Sequence, residues 1–374
     1  VRSTLDGLIT ELDELKALIA SIEPVNAALV GNSDSVVQQY ISIRRRFDYA
    51  AFSVALYASF EKFVEDLVGA YARLEAQRVE YAKLPQKLMD KHLTGTAELL
   101  RRRRLGAGRY VGMDELGVIK NLFECLNGNR PYTLNEVVLS DHDSNLRASE
   151  VDAVFATVGI DKICDQACRA DAMVSWYCKI QGLDMPPGDG VNRTVIDERL
   201  KDIVERRNQV AHRGGNPMNL LGRAGMSEAV EFIESLAASL FGFVVGRYLD
   251  AHHAASPNRI ELALRDGDGP YKGRTVVVVH KPPRRLFIGQ PVFVIVESTG
   301  ARWGRIRTLR IDNVDVQEVA VDGNAPNGVG VDLGFKFPQS TDAKLVALAA
   351  EDDLVWGPLA AHSQASPTAE HRRT

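Results

Sequence analysis

The sequence predicts an α+β multidomain protein, in which an all-α bundle with long helices is followed by a small all-β sandwich or barrel. A change of period along the chain predicts it. Up to about residue 253 the apolar residues recur every three or four positions, as on one face of a helix. Beyond Ser256-Pro257 the runs are short, alternating and rich in β-branched residues, and turn signals cut them at the spacing of small sandwiches and barrels. Length agrees, since 374 residues exceed the roughly 100–150 of most single cores.

Leu5, Leu8, Ile9, Leu12, Leu15, Leu18 and Ile19 form the stripe of a first helix, which Pro24 and Gly31-Asn32 are expected to end. A longer helix is expected over 34–84. Within it Phe52, Leu56, Phe60, Phe63, Val64, Leu67, Ala70, Tyr71 and Leu74 make one apolar face, with Gly69 as its weak point. Shorter helices are expected at 86–103, 113–126, 150–156 and 161–180, before the loop Pro186-Pro187-Gly188-Asp189-Gly190. Residues 194–212 read as the next helix, with Asn192 as cap and Gly214-Gly215-Asn216-Pro217 as terminator. Ser227 is expected to cap the last long helix, whose stripe runs from Val230 to Tyr248.

Strands are expected at 260–264, 275–280, 292–297, 305–311, 314–321, 329–335 and 345–349, with turns at Asp266-Gly267-Asp268-Gly269 and Asp322-Gly323-Asn324. The division predicted is a helical domain at 1–255, a small β domain at 258–357 and a polar, disordered tail at 358–374.

Composition excludes several classes. A hydrophobic share of 45% and a charged share of 25% are globular values, unlike those of disordered, collagenous or membrane chains. A net charge of −4 rules out a polycation, so any nucleic-acid contact must use a local basic patch. Candidates are Arg44-Arg45-Arg46, Arg101 to Arg104, and the arginines 302, 305, 307 and 310 around Trp303. Taken alone, each run reads first as a solvated face. Four cysteines make no disulfide framework, which predicts a reducing, cytoplasmic setting. Cys164 and Cys168 read as buried thiols, His252-His253 as a capping pair, and no metal or cofactor is expected. Leu5 to Ile22 is amphipathic and acidic, unlike a signal peptide, and no membrane span is expected.

Chemistry is concentrated at Glu205-Arg206-Arg207-Asn208-Gln209-Val210-Ala211-His212. Asn208 and His212 are four apart and share a helix face, and Arg207 lies about 100° away beside Asn208. Those three groups suit cleavage of RNA. The polymer brings its own nucleophile, the 2′-hydroxyl, and needs a base, an acid for the leaving 5′-oxygen and a cation for the phosphorane. His212 can move protons, and the helix dipole favours its cationic form. Arg207 can clamp the phosphate with paired donors, and Asn208 can orient the imidazole or a substrate oxygen. One imidazole does not act as acid and base at once, whereas a symmetric dimer presents two copies of the patch. The plain alternative is a surface ion pair for Arg207 in the turn of Glu205 and a helix cap at His212.

Arg207-Asn208-x-x-x-His212 resembles the active-site signature of the HEPN superfamily, and the segment from Ala55 to Leu67 resembles the long helix of its RiboL-PSP-HEPN branch. The resemblance covers the first two-thirds of the chain. It implies an all-α HEPN helical bundle and a dimeric, metal-independent endoribonuclease of bacterial stress or phage defence. Arg207 and His212 would then be catalytic, Asn208 the polar neighbour and Glu61 a supporting contact. The implied partners are an RNA substrate, a second copy of the chain, and a neighbouring regulator, sensor or antitoxin protein. The rival reading is a non-catalytic dimerising module that senses nucleic acid or nucleotide, or scaffolds a defence complex.

Overall fold

The computed structural model describes residues 1–102, 105–106, 108–212, 219–253, 259–264, 267–295, 302–320, 328–338 and 343–348; the side chains of His212, His253 and Ile295 lie outside that description. Arg103, Arg104, the terminator at 214–217, the turn at 322–324 and the tail at 358–374 lie outside it too. Among the described residues the first two-thirds form α1 (Arg2–Val30), α2 (Ser35–Arg78), α3 (Gln86–Arg102), α4 (Glu115–Leu126), α5 (Ala148–Thr157), α6 (Ile163–Ala167), α7 (Asp171–Gln181), α8 (Arg193–His212) and α9 (Arg223–His253).

The long helix of the sequence reading is α2, started by Asp34, whose side chain accepts the Val36 N–H at 2.7 Å. It stops at Arg78, earlier than expected, and a short 3-10 turn at Tyr81–Lys83 follows. Leu5, Leu8, Leu12, Leu15 and Ile19 of α1 are buried in one core with α2 and α9. Pro24 does not end α1 but sits inside it. Ala20 and Pro24 are both exposed there, so the carbonyl deprived of its N–H partner faces water, which limits the penalty of an interior proline.

The helix expected over 161–180 is two helices, α6 and α7. The break has a tertiary cause: the Val191 N–H bonds the Cys168 carbonyl at 2.8 Å, and Gly190, at φ +83°, lies so close that a Cβ would stand 2.6 Å from that oxygen. Ser227 is not the cap of α9, which starts four residues earlier at Arg223. In length and apolar composition α9 meets the description of a membrane-crossing helix, which the sequence reading passed over. Its Val230, Phe232, Ile233, Leu236, Ala237, Leu240 and Val244 have no exposed surface, so it is the central helix of the bundle.

The remaining third carries β1 (Arg259–Leu262), β2 (Val276–Val279), β3 (Leu286–Phe287), β4 (Pro291–Ile295), β5 (Arg302–Arg305), β6 (Thr308–Ile311), β7 (Val314–Val316), β8 (Glu318–Val319), β9 (Val329–Asp332) and β10 (Lys344–Leu348). Two four-stranded antiparallel sheets, β1-β10-β4-β5 and β2-β9-β6-β7, face each other as a sandwich, with β3 and β8 as a separate pair. The strand expected over 305–311 is the end of β5 and all of β6, separated by Ile306 and Arg307, and β3 was not foreseen.

Alternation along the strands serves two cores. Val292 and Val294 of β4, with Leu345 and Ala347 of β10, fill the space between the sheets. Phe293 of β4, with Val346 and Leu348 of β10, joins the helical core instead. Strands buried on both faces read as continuous apolar runs, as Val-Phe-Val and Leu-Val-Ala-Leu do here. Trp303 continues this contact, its ring 5.5 Å from that of Phe241 on α9. Trp303 is therefore packed at the junction, and Arg302 donates to Asp171 at 3.1 Å and to the Lys336 carbonyl at 2.8 Å. Arg302 and Trp303 are thus half-buried where bundle and sandwich meet.

Candidate active site

Helix α8 is fixed at both ends. Asn192 caps it, its Oδ1 accepting the Thr194 N–H at 2.9 Å. Arg193 then holds three carboxylates from three helices, Asp152 at 2.8 Å, Asp165 at 2.6 Å and Asp197 at 3.0 Å. Near the other end Arg206 bonds the Tyr49 hydroxyl at 3.0 Å and the Asn219 carbonyl at 2.9 Å, while buried Ile196, Leu200, Ile203 and Val204 face the core. The last turn of α8 therefore lies along residues 49–57 of α2.

Arg207 and Asn208 are side by side and half-buried, and the Arg207 guanidinium donates to Asn208 Oδ1 at 3.1 Å. The same guanidinium lies 5.1 Å from the centre of the Tyr57 ring, a cation–π distance. Glu205 is 4.0 Å from Arg147 and 3.9 Å from Lys201, and among the described residues no ion pair joins it to Arg207. Asn208 is seen to orient the arginine; the sequence reading assigned it to the imidazole or the substrate. His212 is the final residue of α8, so its backbone keeps the four-residue spacing from Asn208, and its side chain lies outside the described residues.

Glu61 belongs to this cluster. The Tyr57 hydroxyl donates to Glu61 Oε1 at 2.7 Å and accepts the Leu146 N–H at 3.0 Å. Burial, then the Glu61 bond, raises the phenol pKa, and the nearby Arg207 charge opposes the rise. Beyond Glu61 stands His142, whose Nε2 is 3.9 Å from Glu61 Oε1 and 3.4 Å from Glu65 Oε1. That nitrogen is buried and makes no well-aligned hydrogen bond, so the contact to Glu65 is best described as an ion pair. Hydrogen-bonding reach to Glu65 raises the His142 pKa, burial works against it, and the Ser144 carbonyl and Glu61 add to the rise. Glu61 and His142 line a polar cleft of about 600 Å³ with Asp143, Ser144, Asn145 and Arg147.

Sequence reasoning missed Tyr57, Glu65 and His142. Tyr57, Glu61 and Glu65 do carry a signal, since they are spaced by four on one helix and form a polar line. His142 carries none, because it sits in a nonperiodic loop that only the fold brings back to α2.

On the α2 entry segment, the stripe that leads by helical spacing to Tyr57 and Glu61 is apolar and open. Val36, Tyr40, Ile43, Phe47, Ala50 and Val54 are spaced four, three, four, three and four, the period of a coiled-coil seam. All but Ala50 are exposed, Val36 by 71% and Phe47 by 55%.

A family model, RiboL-PSP-HEPN, matches residues 7–245. The chain belongs to the RiboL-PSP-HEPN family. This agrees with the resemblance read from Arg207-Asn208-x-x-x-His212 and from the α2 segment. The match runs from α1 to α9 and leaves every strand outside it. Membership in RiboL-PSP-HEPN ties the chain to a nucleic-acid-related role in general. No curated protein matches the chain.

Of the other candidates, Cys125, Cys164 and Cys168 are buried and Cys178 is half-buried, all as free thiols, and burial raises the pKa of the first three. No group of three potential metal ligands occurs among the described residues. His252 is not a free cap; its Nε2 meets both Glu75 oxygens at 3.0 Å. Arg101 and Arg102 both bond Glu98, and Arg44 is buried beside Asp48 at 3.0 Å, so neither run presents a fully free cationic face.

Proposed function

We propose that the protein is a metal-independent endoribonuclease acting by transphosphorylation at a composite site between two copies. The observation that carries this reading is the Arg207 guanidinium, seated on Tyr57 and held by Asn208 at the end of the helix that His212 closes. The 2′-oxygen attacks phosphorus as its proton passes to a base, the bond from phosphorus to the 5′-oxygen breaks, and an acid protonates that oxygen. The products are a 2′,3′-cyclic phosphate and a 5′-hydroxyl. His212 serves as one proton-transfer group and His212 of the partner subunit as the other, while Arg207 takes the charge of the phosphorane.

The exposed seam on α2 supports the dimer. It is apolar, it has the spacing of helix pairing, and it lies on the segment that runs up to Tyr49 and Tyr57, where α8 ends. Such an activity is toxic unless restrained, which fits a toxin or phage-defence effector kept in check by a neighbouring regulator or antitoxin. Four free thiols fit a reducing, cytoplasmic setting.

The test is cleavage of end-labelled RNA with EDTA present throughout. Wild type is expected to cleave, leaving cyclic phosphate ends, while His212→Ala and Arg207→Ala lose activity by about 100-fold or more. Cleavage that persists in both variants, or no cleavage of any RNA by wild type, would rule the proposal out in favour of a binding module.

A further inference from the structure

The cavity of about 360 Å³ between the helical bundle and the sandwich is separate from the Arg207 cluster, and its size lies within the range of roughly 300–1,000 Å³ typical of small-molecule sites. Its walls combine two chemistries. Phe241, Phe243, Trp303 and Phe335 supply four rings, and Arg2, Arg169 and Arg302 supply three guanidiniums against the single carboxylate of Asp171. Arg2 lies 5.9 Å from the Phe241 ring and pairs with Asp6, and Arg302 is tied to Asp171. No ion pair joins Arg169 to another described residue, and Arg169 is exposed at the mouth. Beside it, the first turn of α7 also lines the cavity, and its N-cap, Ala170, has no side-chain oxygen to close the helix amides.

Gly242 gives a second, independent sign. It lies inside α9, where glycine costs about 0.5–1 kcal/mol relative to alanine. A Cβ placed there meets nothing within 4 Å. Nothing in the packing requires glycine, yet the residue lines the cavity and keeps that wall open.

We infer that this cavity binds a mononucleotide, its base among these rings and its phosphate at Arg169 beside the start of α7. Rings and planar guanidiniums stack on a heteroaromatic base, and a surplus of fixed positive charge selects the phosphate. A free apolar ligand would leave the arginines unused, and a bare anion would leave the rings unused.

Calorimetric titration of the full-length protein with AMP, GMP, CMP and UMP, then adenosine and inorganic phosphate, tests this without RNA. At least one monophosphate is expected to bind with a Kd below about 1 mM, and adenosine and phosphate about tenfold or more weaker. Gly242→Met, which fills the space above the glycine, is expected to abolish binding while keeping the helical circular dichroism and melting temperature of wild type. Arg169→Ala, a surface change, is expected to weaken it about tenfold. Arg207→Ala is expected to bind as wild type does, which separates this site from the cleavage site. The inference is overturned if no monophosphate binds, if adenosine or phosphate binds as well as the nucleotide, or if binding survives both Gly242→Met and Arg169→Ala. Loss of binding in Arg207→Ala alone overturns it as well.

Discussion

The guanidinium of Arg207 rests 5.1 Å from the centre of the Tyr57 ring, and the hydroxyl of that ring is hydrogen-bonded to Glu61. The ring and the hydroxyl can be separated by substitution. Tyr57→Phe keeps the cation's seat but leaves the buried Leu146 N–H without its acceptor, at about 1–3 kcal/mol of stability. Tyr57→Leu removes the seat as well. In single-turnover RNA cleavage Tyr57→Leu is expected to fall about tenfold below Tyr57→Phe; equal rates would show that the ring does not position Arg207.

His142 predicts a pH dependence of a definite sign. Its folded pKa is raised above the ordinary histidine value of about 6.5, so the charged contact with Glu65 and Glu61 contributes fully below that value. The contribution is lost as pH rises through the raised pKa. Urea midpoints of wild type and His142→Gln are expected to differ most between about pH 5 and 6.5 and to converge in alkali. A gap that widens with rising pH contradicts the assignment.

His92 predicts the opposite slope. It is fully buried, accepts the Asn135 N–H on Nε2 at 2.9 Å and meets the Tyr81 hydroxyl through Nδ1 at 3.1 Å. With its acceptor nitrogen engaged inside the core, burial pushes its pKa down to about 4. The unfolded chain takes up the proton near about 6.5, so stability is full above that pH and falls by roughly 3 kcal/mol as pH drops towards the folded value. His92→Phe is expected to be less stable at neutral pH but to lack this acid-side loss. An unchanged slope in the variant would assign the acid sensitivity to other groups.

The α2 seam predicts a solution state. Ile43→Glu with Phe47→Glu places two charges on positions exposed in the single chain, so folding is expected to survive. Sedimentation velocity is expected to show wild type as a dimer and the double variant as a monomer, with RNA cleavage falling in step. A wild type that sediments as a monomer, or a variant that still dimerises, removes the seam from the interface.

Legibility in the sequence followed the range of the forces involved. Asp34, Asn192 and the stripe from Phe52 to Leu74 act within a few residues, and they mark α2 and α8 correctly. The break between α6 and α7 depends on Gly190 and Val191 reaching Cys168 from over twenty residues away, and nothing local announces it. The same holds at the site. Arg207, Asn208 and Glu61 could be named because they stand at helical spacings in recognisable segments. His142 could not, because its closeness to Glu61 is produced by a loop closing on a helix some eighty residues earlier in the chain.

Neighbouring side chains of β10 look in opposite directions, Leu345 into the sandwich and Val346 into the helical bundle. Heat is therefore expected to melt bundle and sandwich in a single endotherm, and the helices cannot be lifted out as a portable module. A gene ending after His253 would yield a bundle with a raw greasy scar where Phe293, Trp303, Val346 and Leu348 had lain, and its fate is precipitation.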